Sequence, residues 1–186
     1  PFEVVPGVTS AIAAPAYAGI PLTHRKFTST VAFVTGHEDP TKETSSIDWA
    51  SIAKGIGTTV FLMGIRNLPH ITTQLIRHGK PSETPVALVR WGTTTAQVTV
   101  TGTLATIAGD AERAGIKAPA VIVVGEVVGL RGSLKWFENR PLFGKTIVVT
   151  RAREQASDLV AKLTALGAEC VEYPTIAVTP PEDWKP

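Results

Sequence analysis

Five stretches of the chain are nearly continuous in apolar, often β-branched residues: Thr30–Thr35, Thr58–Met63, Pro85–Val89, Ala120–Val124 and Thr146–Thr150. Runs of this length predict strands buried on both faces of a sheet. Gln97–Thr101 alternates polar and apolar instead, which predicts a half-exposed antiparallel strand and therefore a mixed sheet. Helical spacing fills the intervals. Asn67 is a suitable N-cap for a helix with Pro69 in its first turn, running through Ile71, Leu75 and Ile76 to Gly79. A second uses Leu104, Ile107 and Ala111 and stops at Gly115. A third uses Ala156, Leu159, Val160, Leu163 and Leu166, with Gly167 beyond it. Strands alternating with helices predict an α/β fold.

The pattern closes and restarts near Asn139–Gly144. After it comes one β-α-β unit: Thr146–Thr150, the third helix, and Glu169–Tyr173. That unit of about 45 residues is smaller than an open α/β domain that folds unaided. Pro1 opens on an apolar, strand-like stretch and Pro186 follows an unfinished loop, so both ends read as cuts in a longer protein. The expected division is 1–138 and 139–186.

Composition narrows the function classes. Of the 186 residues, 44% are hydrophobic, which is enough for a core and excludes a disordered chain. A net charge of +2 argues against a dedicated nucleic-acid binder. The single cysteine, Cys170, excludes an internal disulfide framework. No apolar run reaches the ~20 residues that span a bilayer, and there is no signal-type segment, so the expected location is the cytoplasm with no membrane partner. The four histidines show no metal-ligand spacing, and His70 and His78 are expected to face solvent.

The candidate chemistry lies at strand ends. Val5-Pro-Gly-Val-Thr-Ser10 reads as a strand end, a turn and a helix start whose N–H groups and hydroxyls can hold a carboxylate or phosphate. Taken alone, the motif reads first as an ordinary capped helix with an alanine-packed face. Arg25, closing Gly19-Ile-Pro-Leu-Thr-His-Arg25, can bind a carboxylate bidentately or serve as a structural arginine on a surface loop. Thr35-Gly-His37, Phe61-Leu-Met-Gly64 and Val89-Arg-Trp-Gly-Thr93 each end a strand in a glycine turn, where open α/β sheets bind ligands. Met63 taken alone is expected to fill the core, although it also suits a flat ring or thioether. Three such turns together predict a shared cleft.

These motifs, with Thr101-Gly-Thr-Leu104 and Val124-Gly-Glu-Val-Val128, resemble the tetrapyrrole methylases, and within them the uroporphyrinogen-III C-methyltransferases, in order and spacing over about residues 1–137. The resemblance implies the mixed-sheet C-terminal domain of that fold. It also implies methyl transfer from S-adenosylmethionine to carbons of uroporphyrinogen III, giving precorrin-2 for sirohaem and cobalamin synthesis, in a homodimer. By the same resemblance Thr9, Ser10, Met63 and Gly92 contact the donor, and Arg25 and His37 face the acidic macrocycle. The family's Gly-x-Gly-Pro-Gly loop and proton-transfer residues belong to an N-terminal domain that this sequence does not contain. The expectation is therefore that the chain alone has no methyltransferase activity and binds the donor weakly or not at all.

The tail Gly144–Ala156, which reads GKTIVVTRAREQA, is similar to the opening of the uroporphyrinogen-III synthases, and Asp158, Leu159, Leu163, Gly167, Ala168, Tyr173 and Pro174 continue the match. It implies an incomplete flavodoxin-like start and a bifunctional parent, with Thr150 and Arg151 on the synthase cleft. Two alternatives stand beside this: a methylase of the same fold acting on a later precorrin, and a non-catalytic dimerisation module.

Overall fold

A computed structural model of the chain describes residues 2–37, 45–151 and 153–176, with backbone alone over 153–156. Internal contacts divide it into two units, Pro1–Trp136 and Phe137–Pro186.

The first unit holds a five-stranded mixed sheet in the order β1-β2-β5-β3-β4. The strands are β1 (Val31–Thr35), β2 (Thr58–Leu62), β3 (Pro85–Arg90), β4 (Val98–Thr103) and β5 (Ala120–Val124). β1 and β2 run parallel, and β5 is antiparallel to both β2 and β3. β4 pairs antiparallel with β3, with Val89 opposite Thr99. The polar-apolar alternation after Gln97 thus marks a half-exposed antiparallel edge strand, and the sheet is mixed as the pattern predicts.

Side chains alternate between two cores because the strand period is two. Phe61, Val86, Leu88, Ile122 and Val124 pack under α2 (Trp49–Gly55), α3 (Leu68–Arg77) and α4 (Ile107–Arg113). Val60, Ala87, Val89, Val121 and Val123 pack under α1 (Ser10–Tyr17), whose Ala11 and Ala14 allow close approach. The segment after β5 includes a short α5 (Arg131–Leu134) that returns to the end of α1, where the Arg131 guanidinium donates to Ala18 O at 2.5 Å.

Some expectations fail for identifiable reasons. The opening run Phe2–Val5 forms no strand: Phe2 is 93% exposed and residues 2–9 carry no regular structure. Pro6 has no N–H to donate to a ladder. β1 is not buried on both faces, because it lies at the sheet edge and Phe33 is 51% exposed. α4 begins at Ile107, so Leu104 is buried in the preceding turn. His78 is half-buried, with Nδ1 2.8 Å from Gln74 O, whereas His70 is exposed and meets Trp49 edge-on.

The second unit is one parallel β-α-β: β6 (Thr146–Val149), α6 (Arg153–Ala165) and β7 (Glu169–Glu172). The side chain of Ala156, the first apolar position in the α6 pattern, lies outside the described residues, as does 177–186.

Candidate functional site

The ends of β1, β2 and β3 carry the turns 36–37, 63–67 and 91–93. Because β5 runs the other way, its beginning lies at the same edge of the sheet. A cleft of about 710 Å³ forms there, walled by these turns, by Ala118–Val121 and by the first residues of α1. Ser10, His37, Met63 and Gly92 line it, so four of the six residues singled out from sequence come together.

The other two do not line it. Thr9 is the N-cap of α1, and its Oγ1 accepts the Ala11 N–H at 3.3 Å, so its side chain serves the helix. Arg25 lies exposed between His24 and Lys26, on the turn where His24 N donates to Thr28 O at 2.9 Å.

Met63 is 67% exposed, which excludes the core-filler reading. Its backbone is left-handed at φ 56°, and Trp91 and Thr93 follow at 49° and 74°. Among the described residues these are the only non-glycine residues with positive φ, and all three line the cleft. Such conformations cost on the order of 1–3 kcal/mol each and persist where the surroundings impose them, characteristically at ligand sites. Here they turn Met63 and the Trp91 indole off their strands and into the cleft. The Arg90 guanidinium stacks 3.8 Å from the Trp91 ring centroid and backs that ring with a positive charge.

The turns are fitted to one another. A Cβ on Gly36 would collide with Gly64 Cα. Gly36 N donates to Leu62 O at 2.6 Å, and Asn67 Nδ2 donates to Gly36 O at 2.7 Å. Asn67 does stand at the N-cap of α3, but its side chain makes no capping bond. It clasps the β1 turn to the β2 turn instead. Gly92 has a packing reason as well as a place on the wall: a Cβ there would lie 2.5 Å from Ala14 Cβ.

Sequence reasoning missed Arg66, Trp91 and Thr93, all on the cleft wall. The signal for Arg66 was its position three residues past Met63, on the one-turn 3-10 helix Ile65–Asn67. Trp91 and Thr93 flank Gly92 in the Val89–Thr93 turn. No carboxylate stands among the described lining residues, whereas His37 and Arg66 do, so the wall favours an anionic group.

The family described as Tetrapyrrole (Corrin/Porphyrin) Methylases matches residues 1–108. The chain belongs to the tetrapyrrole methylase family. Its relatives include the S-adenosyl-L-methionine-dependent uroporphyrinogen III methyltransferase of Methanosarcina barkeri, 57% identical over 133 residues, which are 72% of this chain and 52% of that protein. The porphyrin biosynthesis protein HemD of Ruminiclostridium josui is 46% identical over 180 residues, 97% of this chain and 36% of that protein. The chain thus spans from about a third to about half of the length of these relatives. Among solved structures, the uroporphyrin-III C-methyl transferase of Thermus thermophilus, complexed with S-adenyl homocysteine, superposes with a TM-score of 0.57 at 32% identity. That match covers 70% of this chain and 55% of the other. Tetrapyrrole methylase architecture therefore accounts for the mixed sheet of the first unit. No helix of the described residues is long and apolar enough to cross a membrane.

Proposed function

We propose that the first unit is the donor-binding part of an S-adenosylmethionine-dependent C-methyltransferase whose substrate is uroporphyrinogen III and whose product is precorrin-2. The observation that carries this is the convergence of three left-handed residues, Met63, Trp91 and Thr93, on one cleft beside the start of α1. The cleft fits such a donor. Met63 and the Trp91 ring offer polarizable and flat apolar surface for an adenosine or a thioether. Ser10 and the backbone of Gly92 offer polar contact at the wall. When bound, the donor would supply a methyl group already activated on a sulfonium. The protein's part is to hold and orient the reactants and to exclude water. His37 and Arg25 are proposed contacts for the acidic macrocycle, with His37 the one that lines the cleft. Thr9 acts through the helix start it caps. Pairing as a homodimer belongs to the same proposal and rests on the resemblance alone.

For the second unit we propose the beginning of a uroporphyrinogen-III synthase, residues 139–186. Its support is the parallel β6-α6-β7 unit together with the match to the Ruminiclostridium protein, which runs through 97% of the chain. The proposed parent is a bifunctional enzyme that makes uroporphyrinogen III and methylates it. The segment taken alone is proposed to be inactive and to hold the donor weakly, since Met63 and Trp91 stand 67% and 45% exposed on an open wall.

One experiment with two samples tests this. The gene product that contains this chain, given S-adenosylmethionine and uroporphyrinogen III, should add methyl groups to the macrocycle, as read by mass spectrometry. The isolated chain should not. Methylation of a later precorrin in place of uroporphyrinogen III would assign the alternative substrate. Turnover by the isolated chain would overturn its proposed inactivity.

A further inference from the structure

The turn that carries Trp91 into the cleft is held from behind by a residue that does not line it. Gln97 is 4% exposed. Its Oε1 accepts the Thr93 N–H at 2.9 Å, and its Nε2 donates to Tyr17 O, at the last residue of α1, at 3.4 Å. Its own backbone N–H donates to Thr94 O at 3.1 Å. Thr94 in turn donates from Oγ1 to Trp91 O at 2.8 Å. Thr93 is exposed, so water could reach its amide if the turn opened. Trp91 and Thr93 both occupy left-handed backbone, which non-glycine residues leave unless neighbouring groups hold them there. A buried amide that satisfies one of these residues and bridges to a helix 80 residues away in sequence is such a group.

We propose that Gln97 is a positioning residue of the cleft: its side-chain amide ties the 91–93 turn to the end of α1 and so fixes where the Trp91 ring stands on the wall. This inference rests on the reading of the cleft as a donor site for its consequence in binding, but not for its claim about Trp91. The test keeps the two apart. The gene product containing this chain is labelled with 5-fluorotryptophan, and the Trp91 and Trp49 fluorine resonances are assigned with Trp91→Phe and Trp49→Phe. Without ligand, Gln97→Leu should shift or broaden the Trp91 resonance and leave that of Trp49, buried on the other face of the sheet, in place. Gln97→Glu keeps an acceptor for the Thr93 N–H and should hold Trp91 closer to its parent position. With S-adenosylhomocysteine, the parent's Trp91 resonance should move, and Gln97→Leu should bind about tenfold more weakly, the worth of roughly one net hydrogen bond. A Trp91 resonance unmoved by Gln97→Leu, or Trp49 moving along with it, overturns the positioning role. A parent Trp91 resonance indifferent to S-adenosylhomocysteine instead counts against the donor site. Should Gln97→Leu fail to fold, amide exchange in the parent decides: Thr93 protected by about tenfold or more supports the proposal, and an unprotected Thr93 overturns it.

Discussion

At the scale of single residues, the cleft depends on groups placed against their ordinary preference. Met63 is an apolar side chain left in solvent, and Trp91 and Thr93 keep a backbone that glycine would adopt more easily. Lys80 is the converse, a cation taken out of water. It is almost fully buried, and its Nζ donates to Ile56 O at 3.1 Å. Burial holds its ammonium below the usual lysine range, with Glu126 opposing this. The folded protein therefore favours the neutral amine more than the unfolded chain does, and the unfolded chain binds more protons between the folded value and the free-lysine value of about 10.4. The cost of burying the charge is fully present below the folded value and fades as pH rises through that interval. Lys80→Met removes this dependence. In urea unfolding, the stability of the parent relative to Lys80→Met should increase as the pH is raised towards ~10. A difference that stays flat or falls would contradict the assignment.

At the scale of elements, the site is a set of strand-end turns pressed together, and their glycines report it. The two turns meet backbone to backbone at Gly36 and Gly64, and Asn67 closes the clasp. Gly36→Ala should therefore destabilise the first unit by about 1–3 kcal/mol, as overpacking does. The same variant should disturb the His37 and Met63 backbone resonances more than those of distant β4. An alanine tolerated without loss of stability would show that the turns are not in contact. This level also shows what a sequence can display. β2, β3 and β5 were legible because buried central strands are apolar on both faces. α2 was not, although Asp48 caps it through Ser51 N and its Trp49, Ile52 and Ala53 are spaced for one buried face. Seven residues give too few repeats of that spacing to stand out. Asn67 was legible as a residue at a helix start but not as a clasp, because its partner Gly36 lies 31 residues earlier. The three glycine turns predicted a cleft, but the distance of Arg25 from its wall and the buried bridge of Gln97 are products of tertiary packing.

At the scale of the whole chain, the two units differ in how well each encloses its own apolar surface. The first wraps a five-stranded sheet with helices on both faces, and Val86, Leu88, Ile122 and Val123 are inaccessible to solvent. The second offers two parallel strands and one described helix, with Val148, Val171 and Tyr173 exposed. Two strands rarely hold together in water without further strands or a covering layer. Such surface is what a sheet shows before its remaining strands are added, in keeping with the proposed synthase start. Local stability should follow the same division, because amides open most readily where few buried apolar groups hold the ladder. In native-state hydrogen exchange of the isolated chain, the amides of Val148 and Val171 should exchange on the order of a hundredfold faster than those of Leu88 and Val123. In the gene product containing the chain, continuation of the sheet should bring β6 and β7 towards the protection of the first unit. Equal protection of both sheets in the isolated chain would mean that β6-α6-β7 is a finished structure, and the proposal that it begins a larger domain would fail.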